Sequence, residues 1–121
     1  MSNRAQHLFD RARDCPHKVA VVFESETYTF ARLAELVRQA AGGLAHLGIG
    51  KGTRVGIMIP SSPEFIIAQQ ALFAVGAIVT PLSIFYRTAE VDHAVASCDL
   101  EYLVIASDLQ DRVAVLSLIH I

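Results

Sequence analysis

The chain alternates between segments with the apolar periodicity of helices and short apolar runs with the length of strands. Apolar residues three and four positions apart predict amphipathic helices over residues 2–14, 29–47 and 88–98. A further segment, Pro63–Val75, is apolar nearly all round, which predicts a helix buried on more than one side. Gly48 is expected to end the second helix in the left-handed conformation that glycine adopts without strain.

Polar residues before the helices predict how their first turns are capped. The single hydroxyl residues available as N-caps are Ser2, Thr29 and Thr88. Before the third helix two arrangements are open. Either Ser62 caps with Pro63 in the first helical position, or Ser61 and Glu64 form a capping box.

Two glycines lie inside the second helix. Gly42 and Gly43 each cost about 1 kcal/mol relative to alanine in a helix interior. The close approach of another backbone is the expected compensation.

Short apolar runs predict the strands. Val19–Phe23 and Thr27–Thr29 are separated by a turn and predict a hairpin, and three further strands are predicted at 54–59, 77–80 and 102–105. These three lack polar alternation and are separated by helices, which is typical of parallel βαβ units covered on both faces. The predicted fold class is α/β, with a doubly wound or flavodoxin-like sheet. A last helical pattern begins at Ser107 and does not finish, so a fragment is expected.

Composition narrows the functional classes. Hydrophobic residues make up 53% of the chain and charged residues 18%, which excludes disorder and predicts that some surface packs against further protein. Lysine and arginine number 10 against 12 acidic residues, a net charge of −2, and this balance argues against nucleic-acid binding. The glutamines, glycine and proline within the apolar stretch 65–82 favour a buried helix and strand over a transmembrane segment. Cys15 and Cys98 are far apart, which favours reduced thiols and a cytoplasmic location.

Three segments carry candidate chemistry, each with a structural explanation beside it. Gly48–Thr53 looks like a phosphate-binding loop, but Gly52 separates Lys51 from Thr53, and the segment leads from a helix into a strand rather than the reverse. The loops 60–64 and 81–87 follow strands, where open α/β sheets bind ligands, although helix capping and loop packing also explain them.

The order of several short motifs resembles the N-terminal region of adenylate-forming enzymes, which include acyl-CoA synthetases, peptide-synthetase adenylation domains and firefly-type luciferases. The motifs are Tyr28–Phe30, Leu47–Ile49, Arg54–Val55, Pro60–Phe65, Gly76–Ala77 and Pro81–Leu82. The resemblance extends from about residue 8 to about residue 115. Thr53, Ser61 and Ser83 depart from the aspartate, asparagine and asparagine common there. The proline-flanked stretches are most similar to acyl-CoA synthetases acting on fatty or cyclic carboxylic acids.

The resemblance implies an ATP-dependent ligase of fatty acid metabolism that forms an acyl-adenylate with ATP and magnesium and transfers the acyl group to coenzyme A. In the family, a Ser/Thr/Gly-rich phosphate loop, an acidic ribose-binding motif and a lysine on a mobile C-terminal domain perform this chemistry. All three lie downstream of this chain. No catalytic, cofactor-binding or metal-binding residue is therefore predicted here. The chain alone is expected to be inactive, with the remainder of the same enzyme as its partner and a small carboxylic acid as the parent's substrate.

Two segments are predicted, and the first follows from this resemblance. Residues 1–115 are predicted to be a partial N-terminal AMP-binding domain, and residues 116–121 a non-native terminal hexapeptide, because Leu-Ser-Leu-Ile-His-Ile is the in-frame translation of a common transposase sequencing adapter. The alternatives are a complete flavodoxin-like binding or interaction module, a standalone structural subunit, and a fragment of a peptide-synthetase adenylation domain.

Overall fold

A computed structural model describes residues 4–106, Leu109 and the backbone of 117–120. The elements in chain order are α1 (Gln6–Asp14), β1 (Val19–Phe23), β2 (Glu26–Thr29), α2 (Phe30–His46), β3 (Arg54–Met58), α3 (Pro63–Ala74), β4 (Ile78–Pro81), α4 (Thr88–Cys98), β5 (Tyr102–Ile105) and β6 (Ser117–His120). The predicted helices and strands within the described residues are all present, with ends that differ by a few residues.

The strands form two sheets. β1 and β2 pair as an antiparallel hairpin, and the other four form a parallel sheet in the order β4-β3-β5-β6. Counted from its own first strand, the parallel sheet has the order 2-1-3-4, which is that of the flavodoxin-like doubly wound folds. The α/β prediction with parallel βαβ units is confirmed.

Alternate residues of the two central strands face opposite layers of helices. Val55, Ile57 and Val104 are buried in a cluster with residues of α1, α2 and α3. Their sequence neighbours on β3 and β5 point the other way, into a cluster that includes Val91 of α4 and is formed by Met58, Val91, Leu103, Ile105 and Leu109. The two-residue period of a strand thus places one core on each face of the sheet.

Helix capping agrees with the sequence prediction at Thr29 and departs from it at Thr88. The Thr29 hydroxyl accepts a hydrogen bond from the Arg32 amide at 3.1 Å, as predicted. The Thr88 prediction is wrong, because Thr88 is the first helical residue and Arg87 is the N-cap. The Glu90 carboxylate accepts from the Arg87 amide at 2.9 Å, which fixes the start one residue earlier. Ser2 lies outside the described residues.

The expectation about the glycine pair is wrong. A methyl group built on Gly42 or Gly43 would meet no atom within 4 Å, and both residues are exposed. No backbone within the described part of the chain therefore approaches them to offset their helix-breaking cost.

Residues Ser117–His120 form the edge strand β6, which pairs with β5 in register from Tyr102↔Ser117 to Ile105↔His120. A non-native origin for residues 116–121 is a matter of where the sequence came from and stays a prediction. The unfinished helix predicted from Ser107 lies outside the described residues, apart from Leu109, which is buried.

Candidate functional site

The sheet topology singles out one crevice. From β3 the chain moves outward to β4 on one side and returns to β5 on the other, so the order of the sheet reverses at β3. In open α/β sheets the gap outside the carboxyl ends of strands at such a reversal is the usual place for a ligand. A cavity of about 330 Å³ lies there, which we call the switch-point cavity; it is lined by Ile59, Pro60, Ser62, Glu64 and Ala106.

The loop after β3 forms one wall of the switch-point cavity. Ser62 donates its hydroxyl proton to the Pro60 carbonyl at 2.8 Å and accepts from the Phe65 amide at 3.2 Å. Pro63 occupies the first helical position, as the first of the two capping alternatives requires. The Ser62 hydroxyl is therefore engaged in capping α3, so it serves the wall rather than offering a free nucleophile.

The opposite wall comes from the end of β5. The Ala106 amide donates to the Met58 carbonyl at 3.2 Å, which extends the β3–β5 pairing beyond the last strand residue. This bond fixes the distance between the two walls.

The hairpin adds acidic character near the cavity. Tyr28 on β2 donates its hydroxyl proton to Glu26 at 3.2 Å. Partial burial raises the pKa of the Tyr28 phenol, and the negative charges of Glu26 and of Glu64 on α3 raise it further. Tyr28 on the hairpin and Glu64 at the start of α3 are 36 positions apart in the chain (64 − 28). The tertiary structure brings them into electrostatic contact. Sequence reasoning missed this electrostatic contact because no local pattern indicates that Tyr28 and Glu64 come near each other.

The charge of the switch-point cavity determines which ligands suit it. Among the described residues, Glu64 is the one ionisable residue that lines it, and neither lysine nor arginine does so. A polyphosphate would meet a carboxylate at the start of α3 instead of a cation, so the described residues do not fit ATP.

The second predicted loop lies on the other side of β3. The Leu82 amide donates to the Ile57 carbonyl at 2.8 Å, and a tight turn follows in which the Tyr86 amide donates to the Ser83 carbonyl at 3.1 Å. Phe85 is 82% exposed at the tip of this loop. A separate shallow cavity of about 320 Å³ follows it along α4, lined by Tyr86, Ala89, Glu90, His93 and Ala94. Among the cavities formed by the described residues, the two loops thus line separate ones.

The glycine-rich segment Gly48–Thr53 is a turn at the amino end of β3, away from the switch-point cavity. Gly48 has φ 93° just after α2, as predicted. The Thr53 hydroxyl accepts from the Gly50 amide at 3.1 Å, and the Gly52 amide donates to the Gly76 carbonyl at 3.0 Å. These bonds join the turn to the end of α3, so its hydrogen-bonding groups are used inside the fold.

Within the described ranges no three His, Cys, Asp or Glu side chains are grouped as a metal site. Cys15 and Cys98 are both free thiols. The described helices include none of the length and apolarity needed to cross a membrane.

Comparison with known proteins decides the family. Residues 8–120 match the model of the AMP-binding enzyme family. The chain belongs to the AMP-binding enzyme family. It is 34% identical to bacitracin synthase 3 of Bacillus licheniformis over 98 residues, which are 81% of this chain and 2% of that protein. It is 32% identical to a feruloyl-CoA synthase of Amycolatopsis over 107 residues, which are 88% of this chain and 22% of that protein.

The fold of this AMP-binding chain matches a solved subdomain. The N-terminal subdomain of Klebsiella oxytoca NpsA, in complex with anthranilyl-AMSN, superposes with a TM-score of 0.88 at 24% identity. The match covers 100% of this chain and 31% of that one. At that identity the likeness shows the fold alone. The chain thus spans between 2% and 31% of the length of these three proteins.

Proposed function

We propose that the protein carrying this chain is an ATP-dependent acyl-CoA synthetase, in which this chain is part of the N-terminal scaffold. The observation that supports this is the AMP-binding match over residues 8–120, together with 32% identity to a feruloyl-CoA synthase. In the proposed reaction, a carboxylate oxygen bonds to the α-phosphorus of ATP while pyrophosphate leaves with magnesium. The sulfur of coenzyme A then bonds to the acyl carbon, AMP leaves, and the thiol proton is released.

A second acceptor is supported by a separate observation. The chain is 34% identical to bacitracin synthase 3, the same identity as to a putative acyl-CoA synthetase of Bacillus subtilis, and the first match supports an adenylation domain that passes its acyl group to a carrier protein. Both proposals share the acyl-adenylate step and differ in the thiol. The carboxylic acid we propose is fatty or cyclic.

The role of this chain within either enzyme is structural. The described residues that line the switch-point cavity include the carboxylate of Glu64 and the capping hydroxyl of Ser62, and they do not fit a nucleoside triphosphate. We therefore propose that the 121-residue chain alone is inactive. Its sheet and its two helix layers position the loops that follow them.

The test has two arms. The full-length protein is assayed for exchange of labelled pyrophosphate into ATP with a panel of fatty and cyclic acids, and the product thioester is then sought with coenzyme A and with a carrier protein. Acid-dependent exchange supports adenylation, and the thiol that accepts the acyl group separates the two enzymes. Absence of exchange with every acid in the panel would overturn the shared step.

The second arm titrates MgATP into the 121-residue chain by calorimetry. We expect no heat of binding, because neither lysine nor arginine is among the described residues that line the switch-point cavity. Saturable micromolar binding would contradict the scaffold role while leaving the enzyme class intact.

A further inference from the structure

The parallel sheet ends on one side at a strand of only four residues. β6 pairs with β5 through the backbone, residue for residue, over Ser117–His120. Its partner β5 is also four residues long, and Leu103, Val104 and Ile105 of β5 are at most 1% exposed. The inner strand β5 is therefore buried between the two helix layers.

The inner strand is held without β6. β5 pairs with β3 over four positions, from Val55↔Tyr102 to Met58↔Ile105. Its side chains fill both cores, and the amides of Glu101 and Ala106 donate to carbonyls of Arg54 and Met58. The outer backbone edge of β5 is thus positioned by contacts that do not involve residues 117–120.

Backbone pairing of this kind places weak demands on sequence. The N–H and C=O groups of an edge strand that face its neighbour bond to that neighbour regardless of side chain, and added strands bind exposed edges in the same way. The chain segment between Ile105 and Ser117 spans the 11 positions 106–116, close to the dozen that a parallel crossover requires. A strand tethered this way competes with any free strand at an effective concentration in the millimolar range.

We propose that the outer edge of β5 is a strand-acceptor site, and that a short, uncharged, β-prone peptide can replace residues 117–120 there in parallel register. The occupant is an extended peptide with the sequence of residues 116–121. This inference rests on the sheet alone and is independent of the proposed enzymatic activity.

The test keeps the whole chain. The double variant Leu118→Pro/Ile119→Pro removes the N–H groups of two adjacent residues. Neighbouring residues of a strand direct their N–H groups to opposite edges, so one of the two lost N–H groups is the one that faces β5. A fluorescein-labelled peptide Leu-Ser-Leu-Ile-His-Ile is titrated into this variant, into the unaltered chain and into Ile119→Val, which keeps strand propensity. Binding is followed by fluorescence anisotropy.

We expect saturable binding to the double variant, at least tenfold tighter than to the unaltered chain or Ile119→Val, where the tethered strand competes. Two control peptides of the same sequence carry N-methyl groups on alternate backbone amides, one at the odd positions and one at the even positions. They separate backbone pairing from adhesion of apolar side chains. Equal binding of the methylated and unmethylated peptides would overturn the proposal. So would self-association of the double variant, seen by light scattering, that the peptide does not reverse.

A second measurement covers the case in which the double variant does not fold. Amide hydrogen exchange of the unaltered chain is followed for residues 117–120 and for Val55–Met58 of β3. An exchangeable strand opens by itself, so we expect residues 117–120 to exchange at least tenfold faster than β3. Exchange of both segments at one common rate would show that β6 is integral and would refute the acceptor site.

Discussion

Gly56, in the middle of β3, lies where the sheet meets the α4-side core. A methyl group built on it would lie 2.8 Å from Leu100 Cδ1, 2.9 Å from Leu103 Cδ1 and 3.5 Å from Leu82 Cδ1. The first two distances are shorter than any ordinary carbon contact, so both leucines would have to move. Leu103 is fully buried and Leu100 is 5% exposed, which leaves neither side chain free space to move into.

The expected cost of Gly56→Ala follows from that overlap. Inserting a methyl group into a packed core typically costs about 1–3 kcal/mol in the free energy of unfolding. With a urea m-value of about 1.5 kcal/mol per molar, the denaturation midpoint falls by about 1 M. Removing the glycine also restricts the unfolded chain, which offsets about 0.5 kcal/mol of the loss.

Gly42→Ala is the matched control. It makes the same chemical change at an exposed helical position where the new methyl group meets nothing within 4 Å. Helix propensity then predicts a gain of about 1 kcal/mol and a higher midpoint. The denaturation midpoints of both variants are measured by equilibrium urea denaturation, followed by circular dichroism in the helix band. A Gly56→Ala chain as stable as the unaltered one would refute the packing described for this face, and a Gly42→Ala chain that lost stability would show that an unseen surface approaches α2.

Three further outcomes are expected. Ser62→Ala removes the hydroxyl that accepts from the Phe65 amide and should lower stability by about 1 kcal/mol in the same urea assay. Ser61 is an exposed neighbour without that bond among the described contacts, so Ser61→Ala should change stability by less than about 0.5 kcal/mol. Equal losses would contradict the capping assignment. Gly76→Ala places a methyl group 3.2 Å from Lys51 Cα on a residue with φ 84°, so a loss of at least about 1 kcal/mol is expected, and an unchanged midpoint would argue against the turn geometry. Deleting residues 116–121 should alter thermal stability by less than about 1 kcal/mol, because each backbone hydrogen bond to β5 contributes about 1 kcal/mol and ordering each residue costs a similar amount. A much larger loss in a melting experiment would show that the segment is an integral strand and would count against its proposed non-native origin.

The sequence by itself determined the elements and the class of the fold. Local signals suffice for these: the hydroxyl of Thr29 caps the helix that follows it, Pro63 starts α3, and Gly48 adopts the left-handed conformation after α2. The unbroken apolar runs at β3 and β5 require burial on both faces, and this demand alone leads to a parallel sheet between helix layers. The resemblance in motif order led to the family that residues 8–120 match.

Only the tertiary structure decided which of these elements meet. The switch-point cavity depends on β5 lying beside β3, which brings Ala106 to the loop at Ser62 although they are 44 positions apart, by the arithmetic 106 − 62. The electrostatic contact of Glu64 with Tyr28 depends on where the hairpin packs. The packing around Gly56 depends on three leucines from other segments. Such contacts join residues far apart in the chain, and a local pattern carries no information about them because their free energy arises only once the layers are packed.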